Sequence, residues 1–387
     1  MQLPIYFGGQ KMEYLEGRGK LSLQAIGLSN MKVGFLTDGQ TGGGIPNFAK
    51  ELSESISQFE AVDLKPISPS GPNIEIPIFT SYVLTPRKIR KTLRNVDEDV
   101  DILHLPSQFD AAALIGYDLP VPVIVTVHDL IPVVTNYGNM FLSHYTERVL
   151  RGLESADSIV SISNHTKMDI LDSTNISEET VHTIYPSIDK DKYTKAAPLD
   201  ALAEFEIERP YLLYVGTQAP RKNLEVIFRA LDRLPDEFSV VLAGSPGNPI
   251  QKFRIKRQIK RYGVVEKVKL TGHVSIEMLS RLYQSAFAFT FPSKYEGFGR
   301  PPLEAMSVGT PVICANTTSI PEVVGDAAIL CDPDDEHEWI EAVRSLFANK
   351  AEYDNLSEAG RRQAKSFSWE QTAQKTIELY DEIVEGY

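Results

Sequence analysis

The stretch FPSKYEGFGRPPLEAMSVGTPVICANTTSIPEVVGDAAIL, from Phe291 to Leu330, concentrates the residues best suited to chemistry. An apolar run ends at Phe291–Pro292 and a glycine-bearing loop leads into a helix. Pro301 and Pro302 suit its first turn, where a missing N–H costs little. The free N–H groups at such a helix start carry partial positive charge and suit an anionic phosphate. Glu296 and Glu304 bracket this turn. A carboxylate repels a phosphate, but it accepts hydrogen bonds from the hydroxyls of a ribose and a sugar on either side of a diphosphate. The plainer alternative makes Glu296 a solvated loop residue and Glu304 a partner of the helix dipole. Taken alone, the two residues do not decide between these readings.

Other chemistry-bearing residues are scattered more widely. The run PVIVTVHDLIP ends in His128–Asp129, and a histidine at the carboxyl end of a buried strand points into a crevice. Its alternative is a structural histidine bonded within a loop. Gly42, Gly43 and Gly44 separate an apolar run from a helical pattern, but any tight turn uses glycines, and the G-x-G-x-x-G spacing of a dinucleotide site is absent. Gly244 and Ser245 end another apolar run, a plausible nucleotide contact of modest specificity. The acidic triplets at Asp99 and Asp332 match the short DXD metal pattern, yet such triplets are common in an acidic chain.

Short apolar runs alternate with amphipathic segments along the whole chain. VGFLT, DILHLP, PVIVTVHD, SIVSIS and VHTIYP predict strands in the first half; YLLYVG, FSVVLAG, VKLTG, AFAFTFPS, PVICAN and AAILCDP predict strands in the second. Several are apolar almost throughout, as expected for strands buried on both faces of a parallel sheet. Phe48, Leu52 and Ile56 share one helix face, and Leu142, Tyr145, Val149 and Leu153 another. The pattern predicts two doubly wound α/β domains in tandem. The expected division is residues 1–190, a polar linker at 191–208, a second domain at 209–365, and a terminal helix at 366–387. No role is assigned to residues 1–30.

The composition excludes several classes. The 387 residues carry a net charge of −13, so a general nucleic-acid binder is not expected. Cys314 and Cys331 are the only cysteines, with no CxxC, which argues against disulfide frameworks and zinc knuckles and favours a reducing cytosol. No apolar stretch approaches the ~20 residues that span a bilayer. The first twenty residues lack the pattern of a signal peptide. The expectation is a cytoplasmic protein, at most seated on the inner face of a membrane.

The segment EGFGRPPLEAM, followed by GTPVICAN and IPEVVGDAA, closely resembles the signature of glycosyltransferase family 4, a retaining family of the GT-B fold, with its two glutamates separated by seven residues. The likeness extends from Met31 to Tyr387 and is strongest in the second half. It implies two Rossmann-like domains facing across a cleft, with FSWEQTAQKTIELY crossing back to the first. Glu296 would contact donor-sugar hydroxyls, Glu304 the ribose, and Phe298 and Gly299 would offer backbone N–H groups to the sugar. YVGTQAPRKNLEVIFRAL is similar to the donor domain's first strand, loop and helix, so Lys222 and Arg221 would face the diphosphate. The family often has a basic residue directly after the strand glycine, whereas here Thr217 follows Gly216. Whether Arg221 supplies that charge stays open. LTGHVSIEMLSRLYQSA resembles the base-cradling part, with His273 and Val274 lining it. His128 would lie near the reacting sugar, and Gly43 and Gly44 near donor phosphate and acceptor.

The implied activity is metal-independent hexosyl transfer without cofactor, from a GDP- or UDP-sugar to a glycan or lipid-linked acceptor. HDLIP and PRKNL look most like bacterial mannosyl- and rhamnosyltransferases of surface-polysaccharide assembly, which makes GDP-mannose the first donor to test. The alternatives are a sugar-nucleotide epimerase or phosphorylase on the same fold, and a catalytically silent partner subunit. A basic run holding Arg87, Lys88, Arg90, Lys91 and Arg94 is either a solvated face or a contact for anionic lipid. A second, KFRIKRQIKR from Lys252, reads as a solvated helix.

Overall fold

A computed structural model of the chain describes residues 6–7, 10–11, 30–37, 44–69, 78–94, 99–135 and 140–387. A two-residue pairing, β1 (Tyr6–Phe7) with β2 (Gln10–Lys11), comes first. The first sheet is built from β3 (Met31–Leu36), β4 (Val62–Ile67), β5 (Ile102–Leu105), β6 (Val123–Val127), β7 (Ser158–Ser161) and β8 (Val181–Thr183). Between them run α1 (Gly44–Ile56), α2 (Ile78–Leu93), α3 (Ile131–Val134), α4 (Met140–Leu153) and α5 (Asn164–Ser173). The spatial order is β4-β3-β5-β6-β7-β8, and each neighbouring pair is parallel.

The second sheet holds β9 (Tyr211–Val215), β10 (Ser239–Ala243), β11 (Val268–Gly272), β12 (Ala288–Phe291), β13 (Val312–Ala315) and β14 (Ile329–Cys331). Its connecting helices are α6 (Leu224–Arg233), α7 (Pro249–Arg261), α8 (Ile276–Ser285), α9 (Arg300–Val308) and α10 (Ile320–Val324). α11 (Glu336–Ala348), α12 (Lys350–Lys365) and α13 (Trp369–Gly386) follow. This sheet is also parallel throughout, in the order β11-β10-β9-β12-β13-β14. The chain leaves β9 toward one edge and resumes at β12 toward the other, so these two strands flank the switch point where ligands bind in such sheets.

The apolar runs became strands because both faces are covered: every residue of β5, β6, β7, β12 and β13 is buried. β4 escaped the sequence reading. It is an edge strand with mostly half-buried residues and Pro66 within it, so it needs no continuous apolar run and tolerates a missing N–H. The stretch from Asp189 to Pro210 is no bare tether either, since Tyr193, Leu202 and Ile207 are buried in it.

The terminal helix crosses to the first unit, as the resemblance implied. Ser368 caps it by accepting from the Gln371 N–H at 3.1 Å. Ser55 of α1 donates to the Trp369 carbonyl at 3.0 Å, and the Phe48 and Trp369 rings lie 5.7 Å apart. Deeper along α13, Tyr380 bonds to the buried His104 of β5.

Candidate active site

The switch point of the second sheet collects the predicted donor residues. Gly216 follows β9, Gly244 follows β10 and Gly272 ends β11, all with positive φ. The Gly216 N–H donates to the Ala243 carbonyl at 2.9 Å and the Gly244 N–H to the Gly272 carbonyl at 2.8 Å. A β-carbon on Gly244 would lie 2.5 Å from the Gly216 carbonyl oxygen, so the close approach of these strand ends requires glycine there. Thr217 is exposed on this rim, and its carbonyl accepts from the Tyr214 hydroxyl at 2.6 Å.

Beyond Thr217 the chain makes a 3-10 turn, Pro220–Lys222, ended by Asn223 in a left-handed conformation. The Asn223 amide donates to the Pro333 carbonyl at 2.6 Å. The loop after β12 runs alongside: the Lys294 N–H donates to the Arg221 carbonyl, and Arg221 donates to the Tyr295 carbonyl, both at 2.8 Å. These bonds bring three charges together. Lys222 donates directly to Glu296, and the Arg221 guanidinium lies 3.1 Å from the same carboxylate oxygen. The Lys222 ammonium also sits 5.1 Å from the Phe291 ring centroid, on β12.

Lys222 and Glu296 are both buried. Burial alone would raise the Glu296 carboxyl, but Lys222 and then Arg221 outweigh it and hold the group below its usual range. Two cations, Lys222 and Arg221, thus converge on this carboxylate. The start of α9 adjoins it, with Gly299 preceding the helix and prolines among its first residues. The arrangement suits a diphosphate.

The other predicted residues fall less uniformly. Glu304 accepts from the Tyr283 hydroxyl at 2.8 Å and also bonds Tyr193. Among the described residues its direct partners are these tyrosines, not Lys222. Tyr214 feels the charge of Glu296, and Tyr283 feels that of Glu304. His273 is exposed and Val274 half-buried, just past β11. The Phe298 ring is buried, 5.7 Å from Phe367, and the Phe298 carbonyl accepts from Ser319 at 2.9 Å. Gly44 opens α1, and a β-carbon there would meet open space. Gly42 and Gly43 lie outside the described residues.

His128 directly follows β6 on the opposite wall, and its side chain is already engaged. Its Nε2 bonds the Pro106 carbonyl at 2.9 Å, and its ring meets Phe48 edge-on at 4.6 Å. Burial pushes its pKa down to about 4, so the ring is neutral at pH 7. Gly297 brings the two walls together. A β-carbon on it would lie 1.9 Å from the His128 carbonyl oxygen, which sets His128–Asp129 against the Glu296 loop.

Sequence reading missed four residues here. Asp129 feels Arg221, Glu296 and Lys222, and burial raises its carboxyl. Gln108 braces that turn, donating to the Asp129 carbonyl at 3.1 Å and accepting from the His128 N–H at 3.2 Å. Gln218 is buried beside Thr217 with its Oε1 unpartnered among the described residues. Gly297 is the fourth. Its place inside the recognised segment was the available signal, as adjacency to His128 was for Asp129; Gln108 and Gln218 carry none, because their meaning depends on what the fold sets beside them.

The acidic triplets are otherwise engaged: Asp99 pairs with Lys32, and Asp332 accepts from the Asp334 N–H at 2.8 Å. Of the basic run on α2, Arg90 donates to the Ala113 and Ile115 carbonyls at 2.9 Å, and Arg94 donates to the Tyr117 hydroxyl at 2.7 Å. Arg87 and Lys91 are exposed. Among the described residues, no helix is long and apolar enough to cross a membrane.

Two doubly wound units and a cationic notch at a switch point define the GT-B class of sugar-transferring enzymes. Solved structures agree on the fold. Sucrose-phosphate synthase from Thermosynechococcus elongatus is similar with a TM-score of 0.76 at 19% identity, over 92% of this chain and 100% of that one. A glycosyltransferase from Rickettsia africae is similar with a TM-score of 0.68 at 19% identity, over 92% and 100%. The family profile described as Glycosyl transferases group 1 matches residues 202–363, and that described as Glycosyltransferase Family 4 matches residues 48–192. O-antigen chain mannosyltransferase B of Escherichia coli is 34% identical over 272 residues, 66% of this chain and 69% of the relative. The serotype-specific mannosyltransferase WbdA of Escherichia coli is 28% identical over 281 residues, 70% of this chain but only 34% of that longer protein. The chain belongs to glycosyltransferase family 4, and it is a glycosyltransferase.

Proposed function

We propose that this enzyme transfers mannose from GDP-mannose to a glycan or lipid-linked acceptor with retention of configuration. The observation that carries the site assignment is the meeting of Lys222 and Arg221 with Glu296 at the β9–β12 switch point. Support for mannose is the identity with the Escherichia coli O-antigen mannosyltransferases. In this reading the diphosphate takes up the charge of Lys222 and Arg221, which frees Glu296 to accept from sugar hydroxyls. Glu304 accepts from the ribose. The acceptor hydroxyl attacks the anomeric carbon on the side from which the diphosphate departs, and a leaving phosphate oxygen takes its proton. The two side-chain cations offset the charge that builds on the leaving group, so transfer needs no divalent metal. His128 and Asp129 line the acceptor side.

The test is a panel of GDP- and UDP-sugars given to the purified chain with a synthetic lipid-linked glycan, with and without a chelator. The expected result is preferential consumption of GDP-mannose, an α-mannoside by NMR, and turnover that survives the chelator. A UDP-sugar consumed while GDP-mannose stays intact would overturn the donor; a β-linked product would overturn retention.

A further inference from the structure

The helix α7 follows the rim glycine Gly244 and is strongly basic. Its thirteen residues include Lys252, Arg254, Lys256, Arg257, Lys260 and Arg261 and no acid, in a protein of net charge −13. At its start, Ile250 is 79% and Phe253 67% exposed. At 3.6 residues per turn, Ile250, Phe253, Arg257, Lys260 and Arg261 share one face. That face cannot roll inward. Ile255 and Ile259 are buried on the opposite side, and Gln258 donates to Glu225 at 2.5 Å. Tyr262, just past the helix, also donates to Glu225. Among the described residues, no carboxylate pairs with Lys252, Lys256, Arg257 or Lys260.

We propose that α7 seats the enzyme on an anionic lipid surface, with Phe253 and Ile250 entering the headgroup layer and the cations following the lipid phosphates. A lipid surface fits this face better than an acidic protein, because Ile250 and Phe253 stand out into solvent. Its apolar side chains protrude instead of lining a groove that would receive a partner's anchor, and its cations, Lys252 to Arg261, are spread along about 14 Å of helix. Basic helices with protruding apolar residues bind interfaces by that combination of insertion and charge. On α2, by contrast, Arg90 and Arg94 bond within the first unit. The Arg254 guanidinium donates to the Gln218 carbonyl at 2.8 Å, tying α7 to the rim of the notch. Seating would thus hold the donor cleft beside the bilayer. Only the value of that position for a lipid-linked acceptor rests on the function proposed above; the seating does not.

The experiment is flotation of the full chain with phosphatidylcholine vesicles, with and without phosphatidylglycerol, at low and high ionic strength. The wild type is expected to float only with the anionic vesicles and to be released by salt. Arg257→Glu/Arg261→Glu and Ile250→Ser/Phe253→Ser should each bind at least about tenfold more weakly, while Arg87→Glu/Lys91→Glu binds as before. Circular dichroism and transfer to a water-soluble acceptor should stay at wild-type levels in the α7 variants, which separates loss of seating from misfolding or a wrong donor assignment. A wild type that ignores anionic vesicles would overturn the proposal. So would undiminished binding of either α7 variant, loss on changing α2 instead, or equal competition by soluble polyglutamate, which would point to an acidic protein.

Discussion

At the residue scale, the site turns on one buried carboxylate shared by two cations. Lys222→Ala removes the cation in direct contact with Glu296 and leaves Arg221 to hold it. Transfer is expected to fall about 10²–10³-fold, the size seen when one preorganised charge stabiliser is lost. Glu296→Gln should lower transfer similarly, while circular dichroism stays unchanged, because the amide accepts hydrogen bonds less strongly than the carboxylate. Near-normal turnover of either folded variant would refute the roles given to them. The histidines give a prediction in pH. Burial pushes His104 down to about 3 and His128 to about 4. The unfolded chain protonates both near ~6.5. Below that value the unfolded state binds protons that the folded state excludes, so the full stability present above pH ~6.5 declines as pH falls toward 4. His128 alone contributes a loss of about 3 kcal/mol across that window. Urea midpoints of the wild type should drop between pH 7 and 4.5, and His104→Gln should flatten the slope. The types and neighbours of Lys222 and Glu296 were legible in the sequence; Gln108 and Gln218 were not, since a glutamine acquires meaning only from the atoms around it.

At the scale of elements, the site exists because strand ends and loops approach closely. The strand-ending glycines Gly216, Gly244 and Gly272 hold positive φ at the donor edge. Gly297 matters more, because its missing side chain is what lets the β12–α9 loop rest on the turn after β6. Gly297→Ala forces the two walls apart, at a packing cost of about 1–3 kcal/mol. A displacement of about 1 Å at the reacting centre costs on the order of 10²-fold in rate. We expect kcat/KM to fall by about that factor while the melting temperature falls by only a few degrees; unchanged kinetics would show that the walls need not touch. Most strands were readable because burial on both faces demands unbroken apolar runs. β4 was not, because an edge strand is under no such demand.

At the scale of the whole molecule, ionic contacts bridge the two units. Glu322 of α10 accepts from the Asn164 and His165 N–H groups at 2.8 and 2.7 Å, capping α5 of the other unit, and from the Tyr185 hydroxyl at 2.9 Å. Arg300 of α9 meets Glu51 of α1 at 2.7 Å, and Lys192 meets the same carboxylate at 2.8 Å. A carboxylate at a helix N-terminus contributes up to about 2 kcal/mol in partly buried settings. Glu322→Gln should therefore loosen the cleft, seen as a larger radius of gyration by small-angle scattering without loss of helix content. An unchanged radius would mean that Glu322 is not needed to hold the two units together.

The sequence by itself determined what is local: two runs of strand–helix alternation, a cationic turn after one strand, an acid-bracketed helix start after another, and a terminal helix with one apolar face. Those features depend on neighbours a few residues apart. Only the tertiary structure decided that Lys222 meets Glu296 across 74 positions of sequence. It alone placed Gly297 against His128, spent two of the α2 cations inside the first unit and left the basic face of α7 outward. Such pairings follow from sheet order and from which faces are already covered. Those are set by packing across the whole chain, which no short window of residues encodes.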